Sequence, residues 1–445
     1  MPQPPSAASR DEPVIRERGD ACPGALRLHA ADDGFLARVR LPGGLLTVRQ
    51  ASALALAADR FGDGHLELTS RGNVQLRGLA DGCGAGLAEL LDGAGLLPAP
   101  SHERVRNIVA TPMSGLDGPD GPDGPDGPDG PEGQGRPDAL VWALEFDRLL
   151  CASPWAAALS GRFLFAFDDG RGDVASLGPD VTVLGRPGGR ALVRLGRAAD
   201  AVELAGPDSP RAALTAARYF LDSAAEAGTQ AWRVSELPAE HALDTAGFGR
   251  RLEVAGIAAT PVGPVDRPYA PPPLPSGAGG HDRATLCVLP PLGRLDSAQW
   301  RVLAQVADEG GGELRVTPWR SVILPAASAR GAARIEDAGL VLAPGSPWES
   351  VTACTGRPGC AKSRADVRAD ARAVADRARG PLPVHWSGCE RRCGHPRGTA
   401  WVDLVATGSG YRLAAPGRPV RDGVRPSELA AALADARTDP DVVKK

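Results

Sequence analysis

The sequence predicts an α+β protein in which two copies of one strand–helix–strand unit are related by a pseudo-twofold axis. The main observation is that residues 34–79 and 284–326 show the same order of elements. A chain of 445 residues is long enough for about three domains, and 43% of its residues are apolar. This composition excludes wholesale disorder, and no segment approaches the roughly 18 apolar residues of a membrane span.

The first copy opens with a half-buried strand at residues 35–41, where every second residue is apolar. Arg38 and Arg40 should therefore share the other face of this strand. Thr47 and Gln50 have the spacing of a helix capping box, and the helix that follows should end near a glycine at position 62. A second strand at residues 65–69 leads into the segment that contains Arg71 and Arg77.

The second copy repeats these features in the same order. They are a strand at 285–289, the capping-box pair Asp296 and Gln299, glycines at 310–312 and a strand at 313–317. In each copy a threonine is followed within three residues by an arginine, Arg71 in the first and Arg320 in the second. Strand–helix–strand units are common, but the matching caps, glycines and arginines favour duplication over chance.

The remaining segments complete the domain organisation. Residues 161–167 are predicted to form a central strand and residues 210–228 a helix. The predicted division is a disordered N-terminus (1–20), the first repeat (21–112), an acidic Gly-Pro-Asp linker or insert (113–138), an α/β domain (139–260), a Pro/Gly linker (261–283), the second repeat (284–345) and a second α/β domain (346–440).

The net charge of −4 depends on the acidic insert. Six acids lie between residues 117 and 132, and without them the chain would carry +2. Arginine supplies all but three of the basic residues, yet no basic stripe interleaved with aromatic residues accompanies it, so we expect no nucleic-acid partner. The N-terminus lacks the apolar core of a signal peptide, and we expect a cytoplasmic protein without a membrane partner.

The cysteines carry the clearest chemical signal. Cys22, Cys83, Cys151 and Cys287 are scattered, and we expect them to be buried or idle thiols. Four others are paired by spacing, as Cys354-x5-Cys360 and Cys389-x3-Cys393. Reduced thiols grouped in this way indicate a metal or cluster site. The spacing favours an iron–sulfur cluster over zinc, and zinc over four free thiols; Lys362 lies beside the first pair.

These cysteines, the repeats and the segment Arg106-Asn107-Ile-Val resemble the sulfite and nitrite reductase superfamily. The resemblance implies a pseudo-twofold fold of two ferredoxin-like half-domain repeats and two α/β domains that bind a cluster and a tetrapyrrole. It also implies that all four grouped cysteines hold a [4Fe–4S] cluster. In those enzymes a sirohaem lies between the halves, and arginines on the repeats bind its carboxylates.

Within that superfamily the chain resembles the precorrin-3B synthases. The matching segments are Cys22-Pro-Gly-Ala-Leu-Arg-Leu-His29, Arg38-Val-Arg-Leu-Pro-Gly-Gly44, Leu68-Thr-Ser-Arg-Gly-Asn-Val-Gln-Leu76, Thr352-Ala-Cys-Thr-Gly-Arg-Pro-Gly-Cys360 and Ser387-Gly-Cys-Glu-Arg-Arg-Cys-Gly-His-Pro396. Two features depart from the reductases: Cys393-Gly-His395-Pro396 replaces Cys-x-Arg-Pro, and Arg162-Phe-Leu164 replaces a Lys-x-Lys pair. Fewer cations weaken the case for sulfite reduction.

The resemblance implies an oxygen-dependent monooxygenase of aerobic cobalamin biosynthesis that converts precorrin-3A to precorrin-3B, by C20 hydroxylation and γ-lactone formation. Arginines suit the substrate carboxylates; Arg71 and Arg320 are the leading anchors, followed by Arg106, Arg40, Arg77 and Arg162. A mononuclear non-haem iron is also implied, with His395, His65 and His385 as conjectural ligands. Electrons would come from NAD(P)H through a partner reductase, because the chain shows no dinucleotide-binding loop.

Two other functions remain open from the sequence. One is a sirohaem-dependent assimilatory sulfite or nitrite reductase. The other is a non-catalytic electron-transfer or tetrapyrrole-carrier protein that uses only the cluster.

Overall fold

A computed structural model describes residues 20, 22–116, 136–266, 268–277, 282–396 and 399–437. The predicted N-terminal segment and most of the acidic insert lie outside the described residues. No helix in these ranges combines the length and apolar character required to cross a membrane.

The first repeat contains five strands and two helices. They are β1 (His29–Ala31), β2 (Gly34–Val39), β3 (Leu45–Thr47), α1 (Val48–Phe61), β4 (His65–Leu68), β5 (Val74–Leu79) and α2 (Gly84–Gly93). The Thr47 hydroxyl accepts the Gln50 N–H while the Gln50 side chain accepts the Thr47 N–H, and α1 ends at Gly62. The predicted capping box and glycine stop are therefore confirmed.

The central domain is one mixed sheet covered by helices. Its elements are β6 (Ile108–Ala110), α3 (Ala139–Cys151), β7 (Phe165–Asp168), β8 (Val181–Arg186), β9 (Arg190–Leu195), β10 (Ala201–Ala205), α4 (Ser209–Glu226), α5 (Thr245–Val254) and β11 (Ala259–Val262). The sheet order is β11-β10-β9-β8-β7-β6, and β6, β7 and β8 are parallel. Buried phenylalanines, Phe146 and Phe165 among them, fill its core.

The predicted central strand begins later than its apolar pattern indicates. Residues 161–164 form a turn and extended chain before β7 starts at Phe165. Asp20 explains the turn, because its carboxylate accepts the Ser160 hydroxyl at 2.8 Å and the Gly161 N–H at 2.7 Å. This long-range contact leaves the Gly161 carbonyl outside the sheet, where the side chains of Arg40 and Arg71 reach it.

From β2 onward, the element order of the first repeat recurs in the second. Its elements are β12 (Arg283–Val288), β13 (Arg294–Asp296), α6 (Ser297–Glu309), β14 (Glu313–Val316), β15 (Val322–Ser328) and α7 (Ala329–Asp337). Asp296 and Gln299 form the predicted capping box, and α6 ends at Gly310. The duplicated unit is thus confirmed at the level of individual caps.

The two repeats exchange their shortest strands. β3 of the first repeat pairs with β14 of the second, and β13 of the second pairs with β4 of the first. Helices α1 and α6 pack together, and the buried Trp300 donates its Nε1–H to the Ala51 carbonyl at 2.8 Å. One continuous apolar core therefore contains residues of both repeats. Sequence periodicity missed the exchanged strands because each spans only three residues.

The C-terminal domain carries the grouped cysteines. Its elements are β16 (Val351–Ala353), α8 (Val367–Val374), β17 (Val384–Ser387), β18 (Val402–Thr407), β19 (Gly410–Ala414), β20 (Arg421–Val424) and α9 (Leu429–Ala436). β16, β17 and β18 are parallel, and the next two strands are antiparallel. The cysteines follow the carboxyl ends of β16 and β17, the edge at which α/β sheets usually bind ligands.

Candidate functional site

Arginines of the first repeat converge on one thiol and one backbone carbonyl. Because side chains two apart in an extended chain share a face, Arg38 of β2 and Arg40, directly after the end of β2, point to the same side. Arg40 Nη2 lies 3.3 Å from both Cys22 Sγ and the Gly161 carbonyl, and Arg38 Nη1 lies 3.9 Å from the same sulfur. Arg71 donates to the Gly161 carbonyl at 3.4 Å. We call these five residues the arginine pocket.

The arginine pocket concentrates positive charge without a matching anion. Burial, together with the charges of Arg40 and Arg233, lowers the pKa of Arg71 to about 10. Burial and Arg40 also lower the pKa of Arg38. Within the described ranges, neither Arg38, Arg40 nor Arg71 makes an ion pair with a carboxylate. Guanidinium groups held this way are complementary to an anionic ligand.

The other predicted arginines of the first half are differently placed. Arg162 lies at the rim, with its side chain 55% exposed and its guanidinium 4.7 Å from the centre of the Trp232 ring. Arg106 makes two bonds of 2.8 Å to Asp147 and one of 3.1 Å to the Leu96 carbonyl. The structure therefore brings Arg40 and Arg71 together, leaves Arg162 at the edge and engages Arg106 elsewhere.

Arg77 joins the first repeat to the cysteine domain. Its guanidinium binds Asp33 at 2.9 and 2.8 Å and the Gly359 carbonyl at 2.9 Å. Beside it, the Ala361 N–H donates to Asp32 at 2.7 Å. The loop around Cys360 is thereby fixed to the turn between β1 and β2. The sequence analysis predicted that Arg77 binds a substrate carboxylate. In the structure the carboxylate that Arg77 binds is that of Asp33 in the same chain.

Arg320 lies beside the cysteine domain. Its backbone adopts a left-handed conformation, with φ of 63°. A Cβ at Gly394 would lie 3.7 Å from Arg320 Nη2 and 3.8 Å from His385 Cε1, which places the guanidinium next to the chain after Cys393. Burial lowers the pKa of Arg320, and the carboxylate of Glu67 acts against this fall. Glu67 accepts from Gln75, which holds Arg38, and from Arg368 of the cysteine domain, so the arginine pocket and the cysteine domain adjoin.

The grouped cysteines are free thiols that interact with one another. Cys354, Cys360 and Cys389 are partly buried, and Cys393 is exposed. Burial raises the pKa of Cys354, with smaller contributions in the same direction from Cys393 and Cys389. The Gly388 N–H donates to Cys354 Sγ at 3.1 Å. Backbone N–H groups directed at sulfur are a feature of iron–sulfur sites, so this donor set fits a [4Fe–4S] cluster.

The described residues do not fit a single metal ion. They contain no group of three or more His, Cys, Asp or Glu side chains arranged for one ion. A cubane does not need that arrangement, because its four thiolates bind four different iron atoms. The assignment of the four cysteines to a [4Fe–4S] cluster therefore stays a prediction.

The three conjectural histidine ligands share no metal site among the described residues, although His385 and His395 both contact Trp401. His385 is fully buried, with Nδ1 2.9 Å from the Thr352 hydroxyl and Nε2 3.2 Å from the Cys393 carbonyl. Burial and Arg320 lower its pKa to about 4, which keeps it neutral near pH 7. His395 stacks on Trp401, and His65 bonds to the Asp63 carbonyl. In the described part of the chain these histidines provide no mononuclear iron site.

Cys22 is the functional candidate that sequence reasoning missed. We expected an idle thiol, and the structure places it against two arginines. The sequence offered one indication that Cys22 is functional, namely its position in the segment Cys22-Pro-Gly. This segment begins two residues after Asp20, and Asp20 binds the Gly161 turn. The contact spans 139 positions between Cys22 and Gly161, so local pattern could not reveal it.

Comparisons with known proteins agree with this architecture. The nitrite/sulfite reductase ferredoxin-like half domain matches residues 28–91 and 278–338, which correspond to the two repeats. The solved structure of Mycobacterium tuberculosis NirA protein superposes with a TM-score of 0.64 at 18% identity, covering 90% of this chain and 79% of that one. At this identity the likeness shows the fold.

Two curated relatives match most of the chain. A precorrin-3B synthase of Sinorhizobium sp is 26% identical over 417 residues, which are 90% of this chain and 83% of the relative. A ferredoxin–nitrite reductase of Synechococcus elongatus is 26% identical over 412 residues, with 82% and 74% covered. With two matched half domains in one pseudo-symmetric core, the chain has the nitrite/sulfite reductase fold and resembles precorrin-3B synthase among the enzymes of that superfamily.

Proposed function

We propose that this protein is an oxygen-dependent tetrapyrrole monooxygenase that converts precorrin-3A to precorrin-3B. The observation that carries the proposal is the arginine pocket, in which three guanidinium groups lack a carboxylate partner among the described residues and adjoin the cysteine domain. The acetate and propionate arms of a tetrapyrrole supply the missing anions. The similarity to a precorrin-3B synthase supports this substrate class.

The proposed reaction inserts one oxygen atom. One oxygen atom adds to C20, and the ring A acetate oxygen bonds to the adjacent ring A carbon to close the γ-lactone. The C=C double bond between these two carbons is consumed, and the acetate proton ends on the new C20 oxygen as a hydroxyl group. The second atom of O2 leaves as water after taking up two electrons and two protons. Arg71 and Arg40 would bind substrate carboxylates, and Arg162 would contact an acetate or propionate group at the rim of the arginine pocket. Arg320 would face the macrocycle from the second repeat.

The grouped cysteines would hold the [4Fe–4S] cluster. When bound, such a cluster supplies single electrons at a buried site. Arg77 and Arg368 act on this region without touching the substrate, because Arg368 donates to the Cys354 carbonyl at 3.2 Å and to Glu67 at 2.6 Å. The mononuclear iron that the resemblance implies has no fitting ligand set among the described residues, and we route no step through it.

The electron donor is proposed to be a separate carrier protein. A ferredoxin is named as the donor of the relative from Synechococcus elongatus. For this chain we propose a small acidic carrier that is reduced in turn by an NAD(P)H-dependent reductase.

The decisive experiment is a turnover assay with the cluster-loaded protein. Precorrin-3A, O2 and a reduced carrier should yield a product heavier than the substrate by one oxygen atom, and ¹⁸O2 should supply that atom. An Arg71→Gln variant should bind the substrate weakly and turn over slowly, whereas Arg301→Gln, on the exposed outer face of α6, should behave as wild type. Absence of an ¹⁸O-labelled product with every reduced carrier would reject the proposal.

The alternative is a sirohaem-dependent nitrite or sulfite reductase, which the similarity to nitrite reductases favours. The chain argues against it at residues 162–164, where Arg162 stacks on Trp232 and Leu164 is buried in place of a second cation. The optical spectrum separates the two functions. Co-purified sirohaem with nitrite- or sulfite-dependent oxidation of the carrier would establish the reductase, and a cluster spectrum without a macrocycle would exclude it.

A further inference from the structure

The Cys22 thiol occupies an unusual position for a free cysteine. Two guanidinium groups, from Arg38 of β2 and from Arg40 directly after it, converge on its sulfur, at 3.3 Å from Arg40 and 3.9 Å from Arg38. Sulfur is a weak hydrogen-bond acceptor, so it satisfies these donors poorly. A carboxylate at the same place would accept several charge-assisted hydrogen bonds.

The buried arginines are incompletely satisfied. Arg40 is only 3% exposed, its Nη2 is directed at Cys22, and its Nε has no hydrogen-bond partner. The Nε of Arg38 is also buried without a partner. Buried charge without full hydrogen bonding is costly, and binding sites commonly keep such groups for a ligand. The unsatisfied Nε atoms point to a ligand independently of the thiol.

The remaining hydrogen bonds of Arg38 and Arg40 limit which chemical group can bind beside the Cys22 sulfur. Arg38 Nη2 is held by Gln75 at 2.9 Å and Arg40 Nη1 by Asn107 at 3.3 Å, both neutral partners. Glu67, the nearest acid to influence Arg38, is already paired with Arg368 at 2.6 Å. The sulfur therefore lies beside two guanidinium groups that no carboxylate among the described residues pairs with, and this charge is complementary to one small anionic group.

We propose that Arg38, Arg40 and Cys22 form the seat of one substrate carboxylate, with the thiol as a contact residue that the carboxylate packs against or displaces. This inference rests on the proposed function for the identity of the ligand, a tetrapyrrole with acetate and propionate arms. Cys22 and Arg38 thereby become specificity-determining residues, additional to the arginines predicted from the repeats.

Substitution of the thiol tests the seat directly. Cys22→Asp places a carboxylate among the arginines, so it should raise the melting temperature while weakening binding of uroporphyrin by roughly tenfold or more. Cys22→Asn is the matched neutral control, and it should neither raise the melting temperature nor weaken uroporphyrin binding by tenfold. Fluorescence titration with uroporphyrin, and with a cationic N-methylpyridyl porphyrin as a comparison ligand, measures the affinity. An aspartate that leaves affinity unchanged would overturn the proposal.

Alkylation of the wild-type, cluster-loaded protein provides a second measurement. Iodoacetate is anionic and iodoacetamide is neutral, so the ratio of their rates reports the local charge. At Cys22 this ratio should exceed that at Cys83, which lies beside Asp81, by about tenfold or more. Arg38→Gln should reduce the ratio at Cys22, and uroporphyrin should protect Cys22 but not Cys83. Equal ratios at the two thiols, or no protection, would contradict the seat.

The two tests separate this inference from the proposed function. If uroporphyrin protects Cys22 but precorrin-3A is not oxygenated, the carboxylate seat stands and the monooxygenase fails. If precorrin-3A is oxygenated while Cys22 stays unprotected and Cys22→Asp binds normally, the seat fails and the monooxygenase stands.

Discussion

The turns that end the two repeats have the same backbone and different surroundings. In the first turn the Thr69 N–H donates to the Asn73 carbonyl at 2.9 Å, and in the second the Thr317 N–H donates to the Ser321 carbonyl at 2.9 Å. Each threonine hydroxyl also accepts two backbone N–H groups of its own turn. The duplicated unit has therefore kept this turn in detail.

The arginines of the two turns are not equivalent. When the threonines are matched, Gly72 with φ of 65° corresponds to Arg320 with φ of 63°, and Arg71 corresponds to Trp319. The backbone requires a left-handed residue at that position, and only the first repeat supplies the glycine that adopts it without strain. Duplication preserved the turn and not the arginine, so each half presents its guanidinium from a different position.

The two guanidinium groups also meet different neighbours. Arg71 lies among Arg40, Arg38 and Cys22, where burial, and after it the neighbouring positive charges, lower its pKa. Arg320 lies beside His385 and the chain after Cys393, with Glu67 as an opposing charge. This difference is the basis for our proposal that the first repeat binds the anionic ligand, whereas the second contacts both the ligand and the cysteine domain.

The largest effect is expected from replacing one of the grouped cysteines of the C-terminal domain. Cys354→Ser should abolish bound iron and acid-labile sulfide, because Cys354 is partly buried and its sulfur receives the Gly388 N–H. Cys83→Ser, at the N-terminus of α2 in the first repeat, is the control and should keep full iron content. Chemical iron and sulfide analysis decides the outcome, and a Cys354→Ser protein with intact cluster content would refute the ligand assignment.

The next effect separates the two arginines. Arg71→Gln should weaken tetrapyrrole binding by about 10- to 100-fold, since a charged hydrogen bond contributes about 1.5–3 kcal/mol, and should leave the cluster absorbance unchanged. Arg320→Gln should instead speed the loss of cluster iron to a chelator as well as weaken binding. Porphyrin titration and chelator-dependent bleaching measure both quantities. Identical behaviour of the two variants would contradict the distinction between the turns.

Sequence periodicity and capping rules predicted the repeats well, because those signals are local. The caps at Thr47 and Asp296 and the glycine stops lie within a few residues of the helices that they define. The exchanged strands β3 and β13 could not be predicted, since three residues carry no periodicity and their partners lie in the other repeat.

The candidate site was predicted in part for the same reason. The spacing of the grouped cysteines is visible in sequence, and so is the motif position of Arg71. Whether an arginine is free or paired depends on distant residues: Arg106 meets Asp147, and Arg77 meets a loop 282 positions away. The role of Cys22 was missed because its partners arrive from β2 and from the Gly161 turn.

A smaller effect tests the backbone of the turns. Gly72→Ala should lower the free energy of unfolding by about 1–2 kcal/mol, because its φ is positive and a Cβ would lie 2.9 Å from the Val316 carbonyl oxygen. Arg320→Gly should relieve backbone strain at the equivalent position, and so lose less stability than Arg320→Ala. Denaturant unfolding of the three variants measures this. If Gly72→Ala is neutral, the proposed equivalence of the two positions is wrong.

The smallest effect compares the two capping boxes. Thr47→Ala and Asp296→Ala should each cost about 1 kcal/mol of stability, because each removes the side-chain acceptor for an N–H of the first helical turn. Asp296 also carries a negative charge at the positive end of α6, which adds roughly 0.3–1 kcal/mol at low ionic strength. The difference between the variants should therefore shrink as salt is added in denaturant titrations. A difference that is independent of salt would show that the caps differ in packing, and that the two helices are less alike than their hydrogen bonds indicate.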